Sequence, residues 1–110
     1  RLLQTYRAAG IPVVVGTLPN LAHAPAAGLA ERFLGIARGQ IEGRIAAYNE
    51  RVRRLAVDHS YALVDLFGAS RLDEHPEYFA ADGFHPSAAG HDAWFTAMWP
   101  TFAALHAEAP

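Results

Sequence analysis

The sequence contains no cysteine among its 110 residues. A disulfide framework, a thiolate zinc site and a cysteine nucleophile are therefore excluded. The absence of cysteine favours the cytoplasm over an oxidising compartment.

Charge and long apolar runs are also scarce. Charged residues make up 18% of the chain, and the net charge is −2 with the basic residues scattered. This composition gives no electrostatic footprint for a nucleic acid or an anionic membrane surface. No apolar run reaches the ~20 residues of a transmembrane segment. Hydrophobic residues are abundant, at 52% of the chain, and this content indicates a packed globular interior.

The first ten residues predict the end of an amphipathic helix. Leu2, Leu3 and Tyr6 have helical spacing, and Gly10 is a typical stop at a helix C-terminus. No capping residue precedes them, and residue 1 is Arg rather than Met. We therefore expect an N-terminal portion of the protein to be missing from this chain.

Two short apolar runs predict strands. Residues 11–16 form a continuous β-branched run, with Pro12 near its start, and residues 61–66 form a second run. Between them, Pro19, Pro25 and Gly28 predict a loop over residues 17–28. A long helix is predicted from about residue 31 to residue 57, and strand, helix and strand together predict a parallel βαβ unit.

The predicted long helix has an apolar stripe along one face, but the position at which it begins is ambiguous. Its stripe comprises Ile41, Ile45, Tyr48, Val52 and Leu55. Glycines at 35, 39 and 43 weaken the first half. Either they allow another element to approach closely, or the helix begins later, near Gln40.

The last third of the chain predicts an irregular segment followed by a helix. Residues 68–84 have no clear periodicity and follow the carboxyl end of the second strand, where α/β sheets bind ligands. Ser87 is the predicted N-cap, and Pro100 is expected to kink or interrupt the helix. The predicted core face comprises Trp94, Phe95, Met98, Phe102 and Leu105.

Two strands do not form a stable α/β sheet, because each leaves an open edge. We therefore predict that this polypeptide packs against more chain than the 110 residues shown.

The chemistry is concentrated in residues 81–91, which read ADGFHPSAAGH. Asp82 and His85 are three residues apart, so a turn eased by Gly83 brings carboxylate and imidazole to the same side. A histidine held by a carboxylate has the properties of a general base. The alternative is structural: Asp82 caps a turn, and His85 has no catalytic role, as in a non-catalytic α/β binding fragment.

The block D-x-x-H-P before a final helix resembles the terminal block of SGNH (GDSL) hydrolases. The runs VVVGTLPN at 13–20, Tyr48-Asn49 and LVDL at 63–66 are also similar to that family. The resemblance implies an α/β fold, the C-terminal part of a flavodoxin-like three-layer α/β/α sandwich with a parallel sheet. Residues 1–110 are then the C-terminal portion of a single domain.

The same resemblance implies an ester hydrolase with a Ser-His-Asp triad. His85 becomes the general base and acid, Asp82 orients it, no cofactor is needed, and the substrate is a small-molecule or lipid ester. The family's serine and oxyanion donors come from Gly-Asp-Ser and Gly-x-Asn-Asp blocks, which this chain lacks. Asn20 does not match the oxyanion asparagine, because its neighbours differ. The isolated chain is therefore predicted to be inactive.

The three serines do not fit a nucleophile turn. Ser60 precedes a strand, Ser70 falls in a predicted loop, and Ser87 is explained as a cap. Leu18, Phe79 and Phe84 are candidate walls of a substrate site.

Other polar residues have open interpretations. A metal site formed by Asp82, His85 and His91 is an alternative that the spacing does not favour, and we predict no metal. His91, at helical spacing from Trp94 and Phe95, is instead expected to be a packed or a capping histidine. Asn49 is expected to be a buried amide joining helix to loop. Asp65 either supports the site or caps the following turn.

Overall fold

The computed structural model describes residues 1–69 and 71–108, without the side chain of Asp73. In chain order its regular elements are α1 (Leu2–Ala8), β1 (Val14–Gly16), α2 (Pro25–Leu34), α3 (Arg38–His59), β2 (Ala62–Val64), α4 (Leu66–Ala69) and α5 (Ala88–Ala107). Single 3-10 turns occupy Leu21–His23, Leu72–Glu74 and Pro76–Tyr78.

The two strands pair in parallel, as the βαβ prediction requires. Val14 is opposite Ala62, and Gly16 is opposite Val64. Both strands are shorter than predicted: β1 begins only after Pro12, which has no N–H to donate, and β2 ends before Leu66, where α4 begins. Helices connect and cover this parallel pair, so the prediction of an α/β fold is confirmed.

The predicted loop over residues 17–28 is wrong from Pro25 onward, where α2 begins. Pro25 occupies the first helical position, at which a missing N–H costs nothing, so it starts a helix rather than interrupting one. Gly28 lies inside α2, and the Arg38 guanidinium fills the space that a side chain there would need. Gly35, with φ of 66°, ends the helix.

The predicted helix over 31–57 is therefore two helices. Of the two alternatives, the later start is the right one, although α3 begins at Arg38 rather than near Gln40. Gly39 and Gly43 face open space, so the described residues show no close approach there. The α3 face towards the sheet is the predicted stripe in part, since Ile45 and Val52 are buried while Tyr48 is 51% exposed.

Helix α5 begins as predicted, and of the kink or interruption expected at Pro100 the interruption does not occur. The Ser87 hydroxyl accepts a hydrogen bond from Gly90 N–H, which confirms the N-cap. The helix runs through Pro100 without interruption. Its predicted core face is wrong at Phe95 and Phe102, which are exposed because the two-stranded sheet offers too little surface to cover them.

The described chain is elongated and sparsely buried. Its radius of gyration is 16.0 Å, against about 13 Å for a compact chain of this length. Large apolar side chains remain exposed on several helices, including Phe33 and Leu34 of α2 and Trp99 of α5. No helix in the described ranges is both long enough and apolar enough to span a bilayer.

Candidate active site

Asp82 and His85 meet in a tight turn. Oδ2 of Asp82 lies 2.5 Å from Nδ1 of His85. The other carboxylate oxygen, Oδ1, accepts hydrogen bonds from the backbone N–H groups of Phe84 (2.9 Å) and His85 (3.0 Å). Oδ1 of Asp82 therefore stabilises the backbone of the turn, and Oδ2 orients the imidazole of His85.

This arrangement fixes the tautomer of a neutral His85. An ionised carboxylate only accepts hydrogen bonds, so the proton of the ring must reside on Nδ1. Nε2 is then the acceptor, and it has no hydrogen-bond partner in the described part of the chain. Because the His85 side chain is 71% exposed, Nε2 is open to a reacting group.

The hydrogen bonds also keep Asp82 ionised. The His85 ring lowers the pKa of the Asp82 carboxyl most, and the N–H groups of Phe84 and His85 lower it further, from 3.8 to about 2. Asp82 is therefore a carboxylate at every pH at which a histidine base operates.

The backbone closes the chain on both sides of the turn. Ala80 N–H donates to the His85 carbonyl (2.8 Å), and Phe79 bridges Pro86 in an antiparallel sense. Below this bridge, Ser87 N–H donates to the Tyr78 carbonyl (2.8 Å). The histidine thus sits in a short closed loop rather than on a free segment.

The first turn of α5 closes on this loop. The Ser87 hydroxyl donates to the Glu77 carbonyl (2.6 Å) while it accepts from Gly90 N–H (3.2 Å). The Tyr78 carbonyl oxygen occupies the space that a Cβ at the buried Gly90 would need. Only glycine allows the helix to approach the loop this closely.

A second polar group joins the carboxyl ends of β1 and β2. The buried Thr17 hydroxyl donates to Asp65 Oδ1 (2.9 Å) and accepts from Phe67 N–H (3.0 Å). Arg53 of α3 donates to the same Asp65 oxygen (3.1 Å). Burial raises the Asp65 pKa, but the bonds from Thr17 and Arg53 and one from the Gly68 backbone bring it below its usual value. Of its two predicted roles, Asp65 has at least that of capping the following turn.

Asn49 ties α3 to the loop after β1, as predicted. Its side chain is 1% exposed and accepts from Leu18 N–H (2.7 Å) while donating to the Leu18 carbonyl (2.9 Å). Both the oxygen and the nitrogen of the side-chain amide are hydrogen-bonded, so the burial of Asn49 leaves neither atom without a partner.

The three residues predicted to line a substrate site have different surroundings. The ring of Phe84 packs edge-on against His85, with 5.2 Å between centroids, and is exposed. Phe79 is half-buried beside Pro86, and Leu18 follows β1 with its backbone held by Asn49. Their contact with a substrate stays a prediction.

Sequence reasoning missed a second histidine–carboxylate pair. Nδ1 of His75 lies 2.8 Å from Oε1 of Glu77, and this hydrogen bond lowers the pKa of the Glu77 carboxyl. The His75 ring also stacks on Tyr78, with 4.4 Å between centroids. The H-x-E spacing of these two residues is the sequence signal that could have indicated the pair. Stacking covers one face of the His75 ring, whereas His85 is far more exposed.

Of the described serines, Ser87 has a clear structural role. The Ser87 hydroxyl is occupied at both its donor and acceptor sides. Ser60 lies at the C-terminus of α3, before the amino end of β2. Ser70 lies outside the described residues.

Metal ligands do not gather in the described ranges. These residues contain no group of three or more His, Cys, Asp or Glu side chains able to hold an ion. His91, the third residue of the metal alternative, packs edge-on against Trp94, with 6.4 Å between centroids.

Comparison with known proteins identifies a family. Residues 1–93 match the profile of the GDSL-like lipase/acylhydrolase family, and this range includes both strands, Asp82 and His85. No curated protein and no solved structure matches the chain significantly. The match extends over most of the 110 residues, so the chain belongs to the GDSL-like lipase/acylhydrolase family.

Proposed function

We propose that this chain supplies the histidine and aspartate of an SGNH-type serine ester hydrolase. Membership of the family implies an esterase or lipase type of hydrolase acting on an ester. In the proposed reaction, Nε2 of His85 removes the proton from a serine hydroxyl as the serine attacks the ester carbonyl. The imidazolium then donates that proton to the leaving alcohol, and water hydrolyses the acyl-serine by the same route.

One observation carries this proposal: the Nδ1–Oδ2 hydrogen bond of 2.5 Å between His85 and Asp82. It directs the unprotonated ring nitrogen outward and places an ionised carboxylate beside the ring. When His85 becomes positively charged during the reaction, Asp82 stabilises that charge without any rearrangement.

We also propose that the nucleophilic serine and the oxyanion donors belong to a part of the protein outside this chain. The Ser87 hydroxyl is committed to the α5 cap, and Ser60 follows α3 directly before the amino end of β2. The open edges of the two-stranded sheet and the exposed apolar side chains support a large missing neighbour.

The isolated 110-residue chain is expected to hydrolyse no p-nitrophenyl ester above the uncatalysed rate. Without nucleophile and oxyanion hole, it lacks the groups that supply most of the acceleration in acyl transfer. Adding the remaining polypeptide, fused or as a separate fragment, is expected to restore turnover, measured by release of p-nitrophenol.

The matched control is the same reconstitution with a His85→Ala chain, which is expected to stay inactive. A serine-directed phosphonate should label the reconstituted protein outside residues 1–110. Full activity of the isolated chain, lost on Ser60→Ala or Ser87→Ala, would contradict the proposal. Reconstitution without turnover or labelling would favour a non-catalytic binding fragment.

A further inference from the structure

The first turn of α2 lies directly against the Asp82–His85 turn. Ala26 N–H donates to the Gly83 carbonyl (3.0 Å). This amide is one of the N-terminal groups that have no partner within a helix, so the Gly83 carbonyl satisfies it. A hydrogen bond therefore joins the segment after β1 to the loop that holds His85.

Gly83 allows this contact because it has no side chain. Its φ is 69°, and a Cβ there would lie 2.9 Å from Pro25 Cβ and 3.2 Å from the Ala26 nitrogen. Gly35 at the other end of α2 has nearly the same φ, 66°, but nothing lies within 4 Å of its Cβ position. The two glycines share the backbone strain of a substitution and differ in the collision with α2.

The segment that reaches Gly83 is itself held to α3. Asn49 clamps the backbone of Leu18, and Arg38 donates to the Ala22 carbonyl (2.7 Å). Ala22 and Ala24 of this segment are buried. A continuous chain of contacts thus runs from α3 through residues 18–26 to the carbonyl two residues before His85.

We infer that Gly83 is a positioning residue, through which α2 sets the orientation of the His85 imidazole against Asp82. The inference rests on the proposed function of His85 but concerns a different residue. Gly83 does not touch the substrate. Its contact with α2 fixes the conformation of the turn, so that Nε2 of His85 is held in place before a serine approaches.

The test compares Gly83→Ala with Gly35→Ala in the complete protein. Gly83→Ala is expected to lower kcat about tenfold to hundredfold with little change in KM, because it displaces the base and not the substrate. It is also expected to raise the pH at which Asp82 titrates, followed by carboxyl 13C NMR, since the bond to His85 is weakened. Gly35→Ala is expected to change neither quantity.

A double mutant isolates the contact itself. Pro25→Gly removes the atom nearest the added methyl group but leaves the Ala26 nitrogen and the backbone strain, so Gly83→Ala/Pro25→Gly is expected to recover part of the lost kcat. If Gly83→Ala does not fold, the double mutant should fold and be active. A folded Gly83→Ala protein with unchanged kcat and Asp82 titration overturns the inference, and so does a double mutant with no recovery or no fold. The NMR readout does not depend on turnover, so it separates this failure from failure of the proposed function.

Discussion

Replacing His85 with alanine is expected to lower kcat for ester hydrolysis by about four to six orders of magnitude in the complete protein. The variant loses the only group that we propose accepts the serine proton and returns it to the leaving alcohol. Folding is expected to survive, because the His85 ring is exposed and the backbone bonds of the turn do not involve it.

His75→Ala is the matched control for this prediction. His75 is also hydrogen-bonded to a carboxylate, that of Glu77, and lies in the segment before the turn. Its removal is expected to change kcat less than threefold. An active His85→Ala protein would show that His85 is not the general base. A His75→Ala protein as inactive as His85→Ala would show that His85 and Asp82 are not distinguished from His75 and Glu77 as the catalytic pair.

Replacing Asp82 with asparagine is expected to lower kcat by about 10⁴-fold while the turn stays folded. The amide oxygen retains the position of Oδ1, which accepts the two backbone N–H bonds. The amide NH₂ then faces Nδ1 of His85 and donates to it. The ring proton is forced onto Nε2, which is no longer an acceptor for the serine hydroxyl.

Two variants separate the tautomer effect from a folding effect. Asp82→Ala loses the backbone bonds as well, so it is expected to lower the thermal midpoint in addition to kcat. Glu77→Gln makes the same chemical change at the other histidine–carboxylate pair and is expected to leave kcat nearly unchanged. An Asp82→Asn protein with more than a tenth of normal kcat would show that this carboxylate does not select the tautomer.

Local sequence chemistry predicted the parts of the structure that depend on neighbouring residues. The apolar runs predicted both strands, Ser87 the cap of α5, and Asn49 the amide that joins α3 to Leu18. The three-residue spacing brought Asp82 and His85 together because a turn with glycine at its second position closes over that distance.

Other features depended on long-range contacts and were missed. Pro25 is equally consistent with a loop and with the first position of a helix, and the residues around it in the sequence do not distinguish the two. Periodicity placed Phe95 and Phe102 in a core, but burial requires a facing surface that the described chain does not supply. The stacking of His75 on Tyr78 likewise has no signature in the sequence.

The most direct test of the central claim is the pH titration of the Asp82 carboxyl by 13C NMR in the complete protein. The folded-state pKa lies below the unfolded value, so the stabilising interaction is fully present above about pH 4 and is lost as the pH falls through about 2. A midpoint near 2 is predicted. In His85→Ala it should rise towards 3.8 yet remain lower, since two backbone N–H donors persist. A midpoint near 3.8 that is unchanged by His85→Ala would contradict the pairing of these two side chains.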